Sequence, residues 1–334
     1  MQILHNANYN FIRWRWHALA LSALVIAAGL AVIISRGGMP MGIDFSGGTI
    51  VVVKFDQPVS EQQVRSAVDP IAGEEVVQQY GDAGDNQWLI RLAQVQTAEQ
   101  GTNLEVGSQQ ILDALTKAGL PSYEILSREI VGPVIGADLQ RRGVYATLAS
   151  ILAITVYIGF RFRFSFAIGA IAATFHDIIV TLAFLVFFGY DLSLNIVAAL
   201  LTITGYSVND TIVIFDRVRE NMRSMRKESL EQVVNTSVNQ TLSRTIITAG
   251  TTFLSVLSLY IFGGEVLRGF AFTMLVGIVS GTYSTIFIAS AIAILLSKKK
   301  RSPAASAQAA AGRSDAAARP AARPGRKSRG AKAS

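Results

Sequence analysis

The chain has 334 residues, 51% of them hydrophobic and only 16% charged, where about 25% charged is usual for a soluble domain. A mean hydropathy of +0.39 over that length is more apolar surface than one soluble core can bury, because single cores stop growing near about 250–300 residues, so the excess faces lipid. The absence of cysteine excludes disulfide staples, thiolate metal sites and cysteine nucleophiles.

A helix that crosses a ~30 Å hydrocarbon layer needs about 20 mostly apolar residues. Six segments qualify, the first from Ala18 to Ser35. Arg13 and Arg15 precede it and no A-x-A-like processing site follows, so it reads as an uncleaved anchor. Between Gly47 and Pro133 the pattern changes to short soluble elements. Thr49 to Phe55 predicts a strand, and Ser60 to Ile71 a helix capped by Ser60. Glu75 to Tyr80 and Gln87 to Ala93 predict two strands joined by the turn-rich 81–86. Val106 to Ala118 predicts a second helix, stopped by Gly119 and Pro121, and Tyr123 to Ile130 a last strand. The order β-α-β-β-α-β is the ferredoxin-like pattern. No phosphate loop, Cys/His cluster or nucleophile–base pair occurs in it, which favours a binding or force-bearing module over an enzyme. Gly37-Gly38 and Gly47-Gly48 precede this domain and Gly132, Pro133 and Gly136 follow it; they read either as hinges or as plain turns into the strands.

The other five apolar segments run from Gly143 to Phe160, Phe164 to Phe188, Leu192 to Phe215, Thr245 to Gly264 and Gly269 to Ser297. The fold class is therefore an α-helical polytopic membrane protein with six transmembrane helices and one α+β ferredoxin-like domain outside the membrane. It divides into 1–35, 36–137, 138–297 and a basic Ala/Pro tail, 298–334, that reads as disordered. With a cytosolic N-terminus, 21 of the 30 Lys/Arg lie on the cytosolic side, while residues 36–142 carry 14 Asp/Glu against 8 Lys/Arg. This positive-inside bias places both termini in the cytosol and accounts for the pI near 9.7 without nucleic acid. The tail is left membrane lipid as its bland partner.

Ionisable groups inside hydrocarbon cost at least ~2.5–3.5 kcal/mol, so each is a functional candidate. His176 and Asp177 lie midway along the third span, Asn209 and Asp210 late in the fourth, and Arg244 opens the fifth. Thr248, Thr251, Thr252, Ser255 and Ser258 share a helical face with Arg244, and the fourth span contributes Thr202, Ser207 and Thr211 beside Asn209 and Asp210. Most such hydroxyls read as helix–helix glue, whereas Asp210 and Arg244 read as an ion pathway. A nearby Arg favours the carboxylate and desolvation favours the acid, so moving Arg244 relative to Asp210 would load or release a proton. His176 reads equally as a relay or as a bond to a neighbouring helix, and Asp177 as functional. Gly277 and Gly281 form a G-x-x-x-G read as close packing.

The stretches Gly42-Ile-Asp-Phe-Ser-Gly-Gly48, Val131-Gly-Pro-Val-Ile-Gly136, Phe175-His-Asp177, Gly205-Tyr-Ser-Val-Asn-Asp-Thr-Ile-Val-Ile-Phe-Asp-Arg217 and Leu242-Ser-Arg-Thr-Ile-Ile-Thr248 resemble those of the SecF family, the smaller subunit of the SecD–SecF translocase complex. The resemblance covers residues 1 to 297. It implies a resistance-nodulation-division fold in which SecD supplies a second six-helix half, a bacterial inner-membrane location with residues 36–137 periplasmic, and no cofactor. It implies that the pair draws on the proton or sodium motive force to assist late, ATP-independent export of preprotein chains through the SecYEG channel, and that Asp210 and Arg244 occupy the family's ion-conducting positions. Half of an ion-coupled small-molecule exporter of the same superfamily would use the same acid and base, but six spans and about a hundred exported residues count against it.

Overall fold

The computed structural model describes residues 8–71, 75–81, 84–92 and 105–299; the basic tail from 300 onward and part of the predicted turn at 81–86 lie outside them. Helix α1 (Arg15–Ser35) is the first span, and a one-turn helix α2 (Ile43–Ser46) follows it. The soluble domain then runs β1 (Gly48–Phe55), α3 (Glu61–Val68), β2 (Glu75–Tyr80), β3 (Gln87–Leu92), α4 (Val106–Lys117) and β4 (Tyr123–Val131). Its antiparallel sheet has the order β2-β3-β1-β4, the arrangement that a βαββαβ chain reaches when each helix crosses over one intervening strand. Val51 pairs with Ile90 on one side and Arg128 on the other.

Alternation decides which face is covered. Val51, Val53 and Phe55 of β1 and Trp88, Ile90 and Leu92 of β3 are buried, and they pack with Val64 and Val68 of α3 and Ile111 and Leu115 of α4. The start of α3 is set by a capping box, in which Ser60 caps the Gln63 N–H and the Gln63 side chain returns to the Ser60 N–H.

The remaining spans are α5 (Pro133–Arg161), α6 (Phe164–Phe187), α7 (Leu194–Ser224), α8 (Leu230–Phe262) and a sixth made of α9 (Gly264–Ser284), a π-helical turn at Thr285–Ala289, and α10 (Ser290–Lys299). All six are long and apolar enough to cross a membrane. The sixth span and α6 form the interior, and α1, α5 and α8 lie at its edges with most of their apolar surface turned outward.

Three helices overrun their predicted spans by nine residues or more. α5 begins ten residues before Gly143, because Pro133 at its first position is preset for a helix and the polar residues that follow are helix formers. α7 continues past Phe215 and α8 starts fifteen residues before Thr245, behind the capping box of Ser229 and Gln232. Hydropathy marks where lipid begins, whereas a helix stops only where its backbone bonding does. The sixth span, predicted as continuous, is interrupted by the π-helical turn, which the apolar composition does not register.

Candidate functional site: two intramembrane acids in different surroundings

Asp177, on α6, is 1% exposed and saturated with donors. Its Oδ2 accepts from Ser207 of α7 at 2.6 Å and Ser284 of α9 at 2.8 Å; its Oδ1 accepts from Ser280 of α9 at 2.8 Å and lies 3.1 Å from His176 Nδ1. His176 Nε2 lies 2.9 Å from Ser22 Oγ on α1. Ser22 donates to the Tyr283 hydroxyl, which donates to the Ala18 carbonyl. Through His176, one acid thus gathers four helices into a single polar network. The sequence points to His176 and Asp177 but not to Ser22 or Tyr283; the i, i+4 spacing of Ser280 and Ser284 is the signal that marks one polar stripe on the sixth span.

The approach of α9 to α7 depends on Gly277 and Gly281. A Cβ on Gly281 would lie 2.9 Å from Ser207 Cβ, and one on Gly277 would clash with Ile203. Close packing is therefore what the G-x-x-x-G supplies, and it brings Ser280 and Ser284 within reach of Asp177.

Asp210 sits one turn beyond Ser207 on α7 and is only partly buried. Thr245 of α8 donates to its Oδ1 at 2.8 Å, while Oδ2 is shielded from solvent and has no partner among the described residues. Arg244 neighbours this contact in sequence, is exposed, and makes no ion pair with Asp210 among the described residues. Asn209 is exposed beside them. The acid and the base of the expected pathway are thus adjacent but not bonded, with Thr245 as the direct link, a residue the sequence does not single out.

Of the hydroxyls read as helix–helix glue, Ser207 and Thr211 of α7 do bond to other helices, to Asp177 and Thr285, whereas those of α8 do not. Thr248, Thr251, Thr252, Ser255 and Ser258 each donate to a carbonyl of their own helix and bond to no other helix among the described residues. Back-bonding of this kind satisfies a Ser or Thr without a neighbour, so they are not glue within this chain. With Asn209 and Arg244 they make a polar face on apolar spans, turned away from the bundle interior.

The glycine pairs anchor as well as turn. Gly47 (φ 72°) and Gly48 (φ 137°) take backbone angles that only glycine adopts freely. A Cβ on Gly136 would come within 3.0 Å of Gly47 N and Phe45 O, so its absence lets α5 lie against α2; Gly132 caps α5, with Pro133 next. The α2 turn docks on the α6–α7 connection: Asp44 accepts from the Leu194 N–H at 2.8 Å, and Gly42 and Leu192 are joined by backbone bonding. Arg91 of β3 reaches the same connection, donating to the Met41 carbonyl and, at 2.7 Å, to Asp191. Burial pushes the Asp191 carboxyl above its ordinary range, against the opposing pull of Arg91 and Arg36.

Residues 110–299 match the family model for protein export membrane protein SecD/SecF, C-terminal, and residues 32–59 match the SecD/SecF GG motif. The protein translocase subunit SecF of Desulfurispirillum indicum is 42% identical over 288 residues, covering 85% of this chain and 90% of that one. The chain belongs to the SecF family of protein translocase subunits. The SecF subunit of Escherichia coli O157:H7 is 40% identical over 87% of this chain and 89% of its own. Among solved structures, the translocon-associated membrane protein SecDF of Thermus thermophilus superposes with a TM-score of 0.76 at 33% identity, covering 88% of this chain. A SecDF structure in the super-membrane-facing form gives 0.65, also at 33% identity, over 92% of this chain. The chain spans 39% and 41% of those two longer SecDF chains, so a SecF-family chain corresponds to one part of them.

Proposed function

We propose that this chain is the SecF half of an ion-driven export motor. Together with SecD it draws on the proton or sodium motive force to assist the late, ATP-independent passage of preproteins through SecYEG. Both its termini are cytosolic and the domain 36–137 is periplasmic, as the positive-inside bias requires. The chain itself carries out no covalent chemistry.

The observation that carries this reading is Asp210, with one oxygen held by Thr245 and the other buried and unpartnered. A buried acceptor without a donor is a place for a proton, a water or a guanidinium to arrive. Arg244 and Asn209 stand beside it on a polar face that lipid would penalise, and SecD helices are the cover that this face needs. Asp177 and His176, one turn of α7 away through Ser207, continue the same polar route. Each charge that crosses the potential delivers ~2.3 kcal/mol per 100 mV, and the turn at Gly47, Gly48, Gly132, Pro133 and Gly136 passes the resulting motion to the domain.

Inverted membrane vesicles carrying the SecD partner and a secreted precursor test the reading. Asp210→Asn and Arg244→Ala are expected to abolish the part of precursor uptake that depends on the ion gradient, while leaving the ATP-dependent part and the membrane level of the protein unchanged. Full gradient-dependent uptake by Asp210→Asn would remove this acid from the mechanism.

A further inference from the structure

At the end of the bundle away from the soluble domain, where α5 ends and α6 begins, lies a cavity of about 540 Å³. Four arginines line it: Arg161 and Arg163 from the α5–α6 connection, and Arg219 and Arg223 from the last turns of α7. No carboxylate is among its lining residues. Arg161 is engaged with Asp216 at 2.7 Å. Arg163, Arg219 and Arg223 make no ion pair among the described residues. Three uncompensated guanidinium groups around one space repel each other, and an anion of matching geometry relieves that repulsion.

Two further features narrow the anion. α6 starts at this cavity with Arg163 as its cap and no side-chain hydrogen bond to its first turn, so the positive end of a 24-residue helix dipole faces the same space. The rest of the lining is apolar, with Phe166, Phe215 and Met222. A neighbouring cavity of about 780 Å³ shares Arg163, Phe166 and Met222 and adds Arg226 and Glu228. Arg161 directly follows Phe160, which is 91% exposed, so the cavity lies at the level where apolar surface gives way to headgroups. Phe166 and Phe215 are buried beneath it, but Phe162 and Met222 are half-buried and Phe160 and Phe164 beside it are exposed, so a soluble phosphate would use the arginines alone, whereas a phospholipid also covers this apolar surface.

We propose that this cavity is a binding site for the phosphodiester headgroup of an anionic glycerophospholipid, held by Arg163, Arg219 and Arg223 with its acyl chains along the apolar wall. The site is separate from the Asp210 pathway, and its occupancy ties the α5–α6 connection to the end of α7.

The test uses the full-length protein purified in neutral detergent and titrated with phosphatidylglycerol, with phosphatidylcholine, or with inorganic phosphate alone, reading bound lipid by native mass spectrometry and the melting temperature in parallel. Phosphatidylglycerol is expected to be retained and to raise the melting temperature where phosphatidylcholine does neither. The Arg219→Gln/Arg223→Gln double variant is expected to bind it at least about tenfold more weakly, since each basic residue near a lipid headgroup is worth about 1 kcal/mol. A Lys117→Gln/Arg141→Gln control removes the same charge elsewhere and is expected to bind like the wild type. Arg163→Gln repeats the test if the double variant does not fold. Equal retention of the two lipids, equal loss in the control, or a shift reproduced in full by inorganic phosphate would each overturn the proposal.

Discussion

Asp177 and Asp210 are both aspartates in apolar helices, yet their surroundings give them opposite sensitivities. All the hydrogen-bonding capacity of Asp177 is used by Ser207, Ser280, Ser284 and His176. An amide there turns two acceptor positions into donors facing donors, and a buried group left unsatisfied costs about 1–3 kcal/mol. Asp177→Asn is therefore expected to destabilise the folded protein by roughly 1–2 kcal/mol in an unfolding titration. Among the described residues Asp210 has a single bond, from Thr245, and one oxygen without a partner. Asp210→Asn keeps that bond through its amide oxygen, and its stability is expected to stay within about 0.5 kcal/mol of the wild type. The two asparagine variants thus separate a carboxylate whose loss unsettles the bundle itself from one whose loss is felt in transport alone. Equal destabilisation would show that Asp210 has partners in the folded protein beyond Thr245.

Helix contacts turn on small residues at a few positions. Gly281 sets the distance between α9 and α7, and hence the reach of Ser280 and Ser284 to Asp177. Gly281→Val is expected to cost about 1–3 kcal/mol by overpacking and to abolish gradient-dependent export along with it. On α8, a Cβ on Gly250 meets nothing within 4 Å, so Gly250→Ala is expected to be neutral or slightly stabilising within this chain. A strong export defect in Gly250→Ala with normal stability would mark the outward face of α8 as a close contact with SecD. Much at this scale is legible in the sequence. The apolar runs locate the six spans, the Ser60 cap and the period-two strands locate the domain elements, and Gly277 with Gly281 announces a close crossing. The helical overruns at Pro133, Ser224 and Leu230 and the π-helical turn at Thr285–Ala289 are not, because hydropathy senses lipid rather than backbone bonding.

Across the whole molecule, the domain is seated on the membrane bundle by short polar contacts: Asp44 to the Leu194 N–H, and Arg91 to Asp191 and the Met41 carbonyl. The Asp191 carboxyl lies above its ordinary range because burial outweighs the pull of Arg91 and Arg36. A raised carboxyl binds its proton more tightly in the folded state, so its contribution is complete below the ordinary value of 3.8 and is lost as pH rises through the folded value. Relative to Asp191→Asn, which has no proton to lose, the wild type is expected to lose stability as pH rises from acid toward neutral. Melting temperatures of the two proteins across that range check the sign; a slope of the opposite direction would mean that Arg91 outweighs burial. The sequence by itself determined the class of the protein, its six spans, the βαββαβ domain and the positions of its intramembrane charges, because hydropathy and periodicity are properties of neighbouring residues. Only the tertiary structure decided that Asp177 is saturated, that one Asp210 oxygen has no partner among the described residues, that the α8 hydroxyls face outward, and that four arginines share a cavity. Those depend on which face of each helix meets residues far away in sequence, as Asp44 meets Leu194 150 positions on and Ser22 meets Tyr283 261 positions on, and packing between distant segments settles that rather than any local pattern.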